Sequence, residues 1–249
     1  ILINTLDILG AQTDIFLPHR ERDGYGLSLA TVEKLATEDV KIIITCDCGI
    51  SNAPEIARAA ELGIDVIITD HHQEPESLPR AFATIHPKIE GETYPFKGLA
   101  GGGVAFKLAQ GLLQTHARNN DALPDGQSHE AFEKWQLDMV AISSVADMVP
   151  LLGETRTLVR YGLIVLEKTR RTGLRRLMRA AGILDHNGKP KRSRVSAVDI
   201  GYKIAPRINA AGRMAHVIDA FELIVEENDE VAKNFAEKLN NHNKNRQDA

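Results

Sequence analysis

The feature that most constrains this chain is a short apolar run that ends in an acid and two histidines. Residues 66–69 are apolar or β-branched, and Asp70-His71-His72 follow directly. Such a run predicts a buried strand of a parallel sheet, so the polar triplet is expected where the strand leaves the sheet. A second run over 41–45 leads in the same way to Asp47. Because ligands of open α/β sheets bind at the carboxyl ends of strands, we expect both acids at one edge.

The chemistry of these strand ends favours a metal site over a plain loop. A His-His pair alone is more simply explained as part of a surface loop. Two acidic strand ends change that balance, because carboxylate and imidazole together suit hydrolytic metals such as manganese and magnesium. Cys46 and Cys48 flank Asp47. They are too close to bridge each other and too few for a zinc site, so we expect reduced thiols.

The order of the predicted elements indicates an α/β protein. Strands predicted over 13–18, 41–45 and 64–69 alternate with helices, and 81–86 adds a further short strand. This β-α-β-α-β order is typical of a doubly wound, mostly parallel sheet with right-handed crossovers.

The pattern changes after Gly153, where predicted helices dominate. The last of these helices is highly charged and has little apolar surface to bury. We therefore predict three parts: an α/β core over 1–152, a helical extension over 153–227, and the start of a long linker helix over 228–249.

Charge is unevenly distributed along the chain. The formal net charge is −4, yet residues 168–194 carry ten basic side chains and one acid, which gives this segment +9 and leaves −13 for the rest. A basic island of this kind suggests contact with a polyanion, although a solvated helix face explains the charge equally well.

The ends of the chain carry expectations of their own. We find no apolar run that would span a membrane and no signal peptide at the N-terminus, so a cytoplasmic location is expected. The chain does not begin with Met, and residues 1–10 resemble the second half of an amphipathic helix that ends at Gly10. We expect the chain to be a fragment with residues missing upstream.

Three further features each have two explanations. Asp147 is an acid within an apolar run, which indicates either a metal ligand or a cap before Pro150. The glycine-rich stretch 98–103 precedes a helix and either binds an anion or permits close backbone packing. Arg20, and the Pro- and Gly-bounded loop predicted over 204–214, would bind phosphates or pair with acids.

Four motifs occur in a characteristic order along the chain. They cover residues 43–50, 69–72, 145–151 and 206–213. In sequence they resemble the DHH phosphoesterase superfamily and, within it, the RecJ-type exonucleases that degrade single-stranded DNA from the 5′ end in repair and recombination. The resemblance spans essentially the whole chain, and the arginine motif separates RecJ-type exonucleases from the small-nucleotide phosphodiesterases.

The resemblance implies a role for each candidate residue. A site for two metal ions, manganese or magnesium, would use Asp47, His71 and Asp147 as ligands. His72 would contact the scissile phosphate, and Asp70 would orient an imidazole. The residues implied in binding the phosphate backbone or the 5′ terminus are Arg20, Arg207, Asn209 and Arg213.

The resemblance also shows what this chain lacks. The family's first motif is an Asp-x-Asp at the end of an earlier strand, and it is absent here, as are the C-terminal nucleic-acid-binding domains. We therefore expect an incomplete metal site with weakened metal binding and turnover in the chain as printed. Ala205 stands where the family usually has Gly.

Two alternative functions follow from the same residues. One is a DHH-type phosphodiesterase of short oligonucleotides or cyclic dinucleotides, and the other is a non-catalytic DNA-binding scaffold. For the exonuclease, the family implies single-stranded DNA as substrate, with a RecQ-type helicase and a single-strand binding protein as partners.

Overall fold

The structure is a computed structural model that describes residues 1–18, 24–214 and 217–248, without the side chains of 211–214 and 248. These residues form two compact units. The first comprises 1–133 and 149–155, and the second comprises 134–148 and 156–249. The three-part division drawn from the sequence stays a prediction.

The first unit is built on a parallel three-stranded sheet. Its strands are β1 (Ile42–Cys46), β2 (Asp65–Thr69) and β3 (Ala83–Ile85), in the order β1-β2-β3. Cys46 pairs with Thr69, so β1 and β2 end side by side. Ile43, Val66 and Ile68 are buried in the core beneath the sheet. The predicted α/β class with a parallel sheet is confirmed.

Helices precede, connect or follow these strands along the chain. They are α1 (Leu2–Ile8), α2 (Leu29–Thr37), α3 (Ala53–Glu61), α4 (Gly101–Ala117) and α5 (His129–Trp135). Ser28 begins α2 as an N-cap and accepts a hydrogen bond from the N–H of Thr31. The strand predicted over 13–18 is wrong: this described segment forms no strand, because it finds no pairing partner in the sheet.

The second unit is helical. Its elements are α6 (Leu137–Ala146), α7 (Gly153–Glu167, whose first residues belong to the first unit), α8 (Thr172–Ala180), α9 (Ala197–Asp199), a π-helical turn (Ile200–Ile204), α10 (Ala205–Met214), α11 (Ile218–Val225) and α12 (Asp229–Asp248). Leu174, Leu177, Ile200 and Leu223 are fully buried in its core. Among the described residues, no helix is both long enough and apolar enough to cross a membrane.

The segment predicted as an arginine-bearing loop is instead helical. Residues 205–214 form α10, which continues directly from the π-helical turn. Pro206 has no N–H for an intrahelical hydrogen bond, and its ring would crowd the carbonyl one turn earlier. A π-helical turn widens the backbone at this point, and such turns are found where a helix must absorb a local irregularity. Pro206 therefore does not end the helix here.

Candidate metal centre

Asp47 follows β1 in an unusual backbone conformation. Its φ is +61°, in the left-handed region that Asp and Asn enter more readily than most residues with a Cβ. Its N–H donates to the carbonyl of Thr69 at 2.9 Å, which extends the pairing of β1 and β2 by one residue. This places Asp47 beside Asp70, as the two strand ends predict.

The glycine-rich stretch brings the start of α4 against Asp47. A Cβ built on Gly101 would lie 2.1 Å from Oδ1 of Asp47 and 2.6 Å from its Cβ, so only glycine leaves room for this carboxylate. Gly101 is the first residue of the 17-residue helix α4. The positive end of the helix dipole favours a carboxylate at this position. Close packing therefore accounts for Gly101, with the side chain of Asp47 as its neighbour.

Asp70 is buried and organises the turn after β2. Its Oδ2 accepts the N–H of Ile50 at 3.0 Å, and its Oδ1 accepts the N–H groups of His71 at 2.7 Å and His72 at 3.1 Å. Burial opposes ionisation of Asp70, but these backbone donors and the His72 ring hold the pKa of its carboxyl below the usual value. Asp70 therefore acts as a charged acceptor.

The ring of His72 is held by Asp70 on one side and lies close to Tyr25 on the other. Nδ1 of His72 lies 2.6 Å from Oδ1 of Asp70, which keeps a proton on Nδ1. Its Nε2 lies 3.5 Å from the hydroxyl of Tyr25, and the two rings meet edge to face. That hydroxyl also donates to the backbone oxygen of Asp47. Tyr25, which is 69% exposed, is thus part of the site.

His71 and Asp47 come together at the centre of the site. Nε2 of His71 lies 3.0 Å from Oδ1 of Asp47, and the ring is buried while the carboxylate is half exposed. Ligand atoms of Asp47, His71 and His72 all lie within 4.8 Å of one another. Two ligands bonded to one ion at about 2.1 Å in octahedral geometry lie about 3 Å apart. The pair therefore fits a shared divalent ion of the manganese or magnesium type.

Two residues after β3 hold the backbone of the histidine pair. Nε2 of His86 donates to the carbonyl of His72 at 2.8 Å, and Nζ of Lys88 donates to the carbonyl of His71 at 2.5 Å. Nδ1 of His86 accepts the N–H of Lys88, and burial lowers the pKa of the His86 ring. Sequence reasoning missed both residues. The rule applied to β1 and β2, that polar residues after a strand belong to the site, would have found them at the end of β3.

Both thiols beside Asp47 have raised pKa values, which favours their protonated forms. Burial raises the pKa of Cys46, and burial together with nearby Asp70, Cys46 and Asp47 raises the pKa of Cys48 to about 12. Both cysteines are free, as expected. The carbonyl of Cys48 accepts the hydroxyl of Thr45 at 2.8 Å, which supports the turn that carries Asp47.

The remaining predicted site residues belong to other parts of the chain. Asp147 is the exposed C-cap of α6, in the second unit, and its N–H donates to the carbonyl of Ser143. Its role as a third metal ligand stays a prediction. Arg20 and the side chain of Arg213 lie outside the described residues.

Arg207 and Asn209 lie on α10. The guanidinium of Arg207 donates to Oδ1 of Asn240 at 3.0 Å and to the carbonyl of Lys203 at 2.8 Å, and burial lowers its pKa. Asn209 is exposed. The structure thus gives Arg207 partners within its own unit, and phosphate binding by both residues stays a prediction.

Comparison with known proteins agrees with this geometry. The profile of the DHH family, N-terminal domain, matches residues 1–144 of the chain. The chain belongs to the DHH family. The Asp70-His71-His72 triplet that gives this family its name is thus the turn that holds the site together.

DHH proteins similar to this chain include bacterial exonucleases. The single-stranded-DNA-specific exonuclease RecJ of Bacillus subtilis is 38% identical over 247 residues, which cover 99% of this chain and 28% of RecJ. RecJ of Thermus thermophilus is 34% identical over 248 residues, covering 99% of this chain and 33% of the relative. The chain therefore spans about a third of the length of these curated relatives.

Solved structures give the same result. An exonuclease RecJ bound to manganese matches 99% of this chain and 57% of its own, with a TM-score of 0.81 and 33% identity. RecJ of Thermus thermophilus in complex with Mn²⁺ matches 99% of this chain and 32% of its own, with a TM-score of 0.77 and 30% identity. The resemblance to RecJ-type exonucleases expected from the four motifs is confirmed.

Proposed function

We propose that this chain binds manganese or magnesium through Asp47 and His71 and forms the core of an exonuclease that hydrolyses single-stranded DNA from the 5′ end. The observation that carries the proposal is the cluster of Asp47, His71 and His72, whose ligand atoms lie within 4.8 Å of one another at the strand ends. The two RecJ structures with manganese support the choice of metal.

Each residue of the cluster has a distinct part. Asp47 and His71 would hold the metal, with Asp147 as a further ligand and two ions in the complete protein. When bound, divalent metals supply Lewis-acid stabilisation for the charge that develops on phosphate oxygens. Asp70 accepts a hydrogen bond from Nδ1 of His72 and fixes the ring. In the doubly protonated ring, Nε2–H would donate to an oxygen of the scissile phosphate.

Substrate contacts are assigned to the arginine-bearing segments. Arg20, Arg207, Asn209 and Arg213 would bind the phosphate backbone or the 5′ terminus, since guanidinium groups bind phosphate oxygens in pairs. We further propose that the protein acts in the cytoplasm in DNA repair and recombination, together with a RecQ-type helicase and a single-strand binding protein. The support for this setting is the similarity to RecJ.

The test combines direct metal binding with DNA hydrolysis. Mn²⁺ affinity is measured by calorimetry, and a long single-stranded DNA labelled at either end is digested under single-turnover conditions with protein in excess. Asp47→Asn removes the ligand charge at a backbone position that Asn also adopts. Asp65→Asn is the matched control, because Asp65 is an exposed acid at the opposite end of β2.

We expect weak but measurable Mn²⁺ binding and slow release of the 5′ label by the unaltered protein and by Asp65→Asn, and loss of both in Asp47→Asn. Equal Mn²⁺ affinity in the two variants would remove Asp47 from the metal site. Hydrolysis of dinucleotides without cleavage of long DNA would instead identify a small-nucleotide phosphodiesterase. DNA binding without any hydrolysis would identify a scaffold.

A further inference from the structure

A basic hairpin projects from the second unit. Residues 183–195, here called the basic hairpin, fold back on themselves through an antiparallel bridge between Leu184 and Pro190. Four exposed basic side chains follow the turn within six residues: Lys189, Lys191, Arg192 and Arg194. The apolar residues Ile183, Leu184 and Val195 at its base are buried, which anchors the hairpin in the core of the unit.

The turn of the hairpin is fixed by its only acid. Oδ1 of Asp185 accepts the N–H groups of Asn187 and Lys189, both at 2.9 Å, and the N–H of Asp185 donates to the carbonyl of Lys189 at 2.8 Å. The N–H of Lys191 donates to the carbonyl of Ile183 at 2.9 Å. The acid is therefore engaged by the backbone of the turn and forms no ion pair with the basic side chains that follow.

The structure separates two kinds of basic residue within the +9 segment. Arg171 pairs with buried Asp138 at 3.3 Å, and Arg176 forms an ion pair with Asp229, so both are used within the fold. By contrast, the four basic side chains of the hairpin form no ion pair with any acid in the described part of the chain. Exposed cations that lack partners within the fold create a positive local potential, which attracts polyanions.

The positive surface continues beyond the hairpin. The N–H of Val195 donates to Oε2 of Glu167 at 3.2 Å. This hydrogen bond joins the residue that follows Arg194 to the residue that precedes exposed Lys168. At the turn, a Cβ built on Gly188 would lie 3.5 Å from Nη2 of Arg179 on α8. The Nε atom of Arg179 is buried and has no hydrogen-bond partner among the described residues. The hairpin thus joins the basic residues of two neighbouring helices.

We propose that the basic hairpin binds the phosphate backbone of single-stranded nucleic acid, as a contact additional to the metal centre. This rests on the proposed function, which it deepens by assigning part of the substrate path. Arginine and lysine at close spacing suit successive phosphates, with which arginine forms paired hydrogen bonds. An acidic peptide would also need apolar contacts to gain affinity, and the described hairpin exposes no large hydrophobic side chain.

The test measures DNA binding without hydrolysis. Fluorescence anisotropy of a labelled 30-nucleotide oligothymidylate is followed between 50 and 300 mM salt in the absence of divalent metal. The variant is Arg192→Gln/Arg194→Gln. The control is Lys41→Gln/Arg118→Gln, which removes the same charge from exposed positions in the other unit. Lys41 precedes β1 at the end away from Asp47, and Arg118 follows α4 about 25 Å along the helix from Gly101.

Each lost phosphate contact to a single strand lowers the slope of log affinity against log salt by about 0.7. We expect the hairpin variant to lose about 1.4 from this slope and about 25-fold in affinity at 0.1 M salt, while the control changes little. An unchanged slope in the hairpin variant, or an equal loss in both variants, would overturn the proposal. The proposal would also be overturned if the hairpin variant lost binding to poly-glutamate while the unaltered protein showed no binding to DNA.

Measurements of hydrolysis distinguish a failure of the hairpin proposal from a failure of the proposed function. If the hairpin only adds contacts to the phosphate backbone, the hairpin variant keeps the unaltered rate on a trinucleotide, which has only two phosphodiester groups to offer. Failure of the metal centre would abolish hydrolysis in every variant and leave the difference in salt slope intact. Failure of the hairpin proposal would leave hydrolysis intact and remove the difference in slope.

Discussion

One helix in each compact unit carries, in its first turn, a glycine that leaves room for a neighbouring group, and the two neighbouring groups differ in kind. A Cβ on Gly173 of α8 would lie 1.5 Å from the carbonyl oxygen of Leu223, which is backbone of α11. A Cβ on Gly101 of α4 would lie 2.1 Å from a carboxylate oxygen of Asp47. The first glycine lets two helices pack, and the second lets a helix start meet a candidate metal ligand.

This difference reflects how the two units are stabilised. The helical unit buries a large apolar core in which helices touch at close range. The α/β unit uses its strand ends to present polar groups, and those groups are held by hydrogen bonds between the turns that follow the strands. Substitutions in the helical unit should therefore change stability, and substitutions around the strand ends should change metal affinity.

The largest effect is expected from Gly173→Ala. The new methyl group overlaps backbone that cannot move without separating α8 from α11, so we expect a loss of more than about 4 kcal/mol of folding free energy. Urea denaturation measures this loss. Gly111→Ala in α4 is the control, because a Cβ there meets nothing within 4 Å and should raise stability by about 0.5–1 kcal/mol. Equal stability of the two variants would remove the packing role of Gly173.

Gly101→Ala should affect function more than folding. Its methyl group displaces the short side chain of Asp47, and we expect about a 100-fold loss of Mn²⁺ affinity, since misplaced ligands bind metal weakly. Calorimetry with Mn²⁺ measures the loss, and Gly111→Ala in the same helix should bind Mn²⁺ normally. If Gly101→Ala instead lost stability as Gly173→Ala does and kept its metal affinity, the contrast between the two glycines would fail.

His86→Ala tests the support behind the histidine pair. Removing the donor to the carbonyl of His72 loosens the turn that carries both imidazoles, and we expect about a 10-fold loss of Mn²⁺ affinity with the fold retained. His86→Asn keeps a side-chain N–H and should recover part of the affinity. His129→Ala removes a histidine that pairs with His116 elsewhere in the unit, and should leave metal binding unchanged.

The smallest effect is expected at Asp199, the acid of the capping box in the helical unit. Burial opposes its ionisation, but Lys203 and Ser196 hold the pKa of its carboxyl below the usual value. A carboxyl group whose pKa is lower in the folded protein stabilises the fold at pH values above its pKa in the unfolded chain, which is near 3.9. This contribution disappears as the pH falls through the pKa of the folded protein.

Asp199→Asn should therefore cost about 1 kcal/mol at neutral pH, with the difference from the unaltered protein shrinking below about pH 4. Urea denaturation at several pH values, with Asp65→Asn as the control, measures the difference. A difference that stays constant down to pH 2 would show that the charge of Asp199 does not contribute.

Much of the candidate site was predictable because the carboxyl ends of neighbouring parallel strands meet at one edge of the sheet. Apolar runs located β1 and β2, their parallel pairing brought Asp47 and Asp70 to one edge, and the imidazoles followed from the same turn.

Other features depend on contacts between distant residues, which the local amino-acid sequence does not predict. Residues 13–18 have strand-like composition but find no partner, and Pro206 breaks helices in isolation yet follows a π-helical turn here. Tyr25 and Lys88 enter the site through hydrogen bonds to backbone carbonyls distant in sequence. The side chains of Lys189 and Arg176 look alike in the basic segment, and only the fold shows that Asp229 neutralises one of them.

The left-handed backbone at Asp47 limits how this position can change over evolutionary time. Apart from glycine, Asn and Asp are the residues that adopt such a conformation most readily, so a neutral substitution here is restricted mainly to Asn or Gly. Both would preserve the turn and remove the carboxylate. Glu would restore the charge but strain the backbone. A duplicated copy that acquired Asn or Gly at this position would therefore keep its fold and lose the candidate metal ligand in a single step. Such a change would turn the proposed hydrolase into a DNA-binding protein without catalysis.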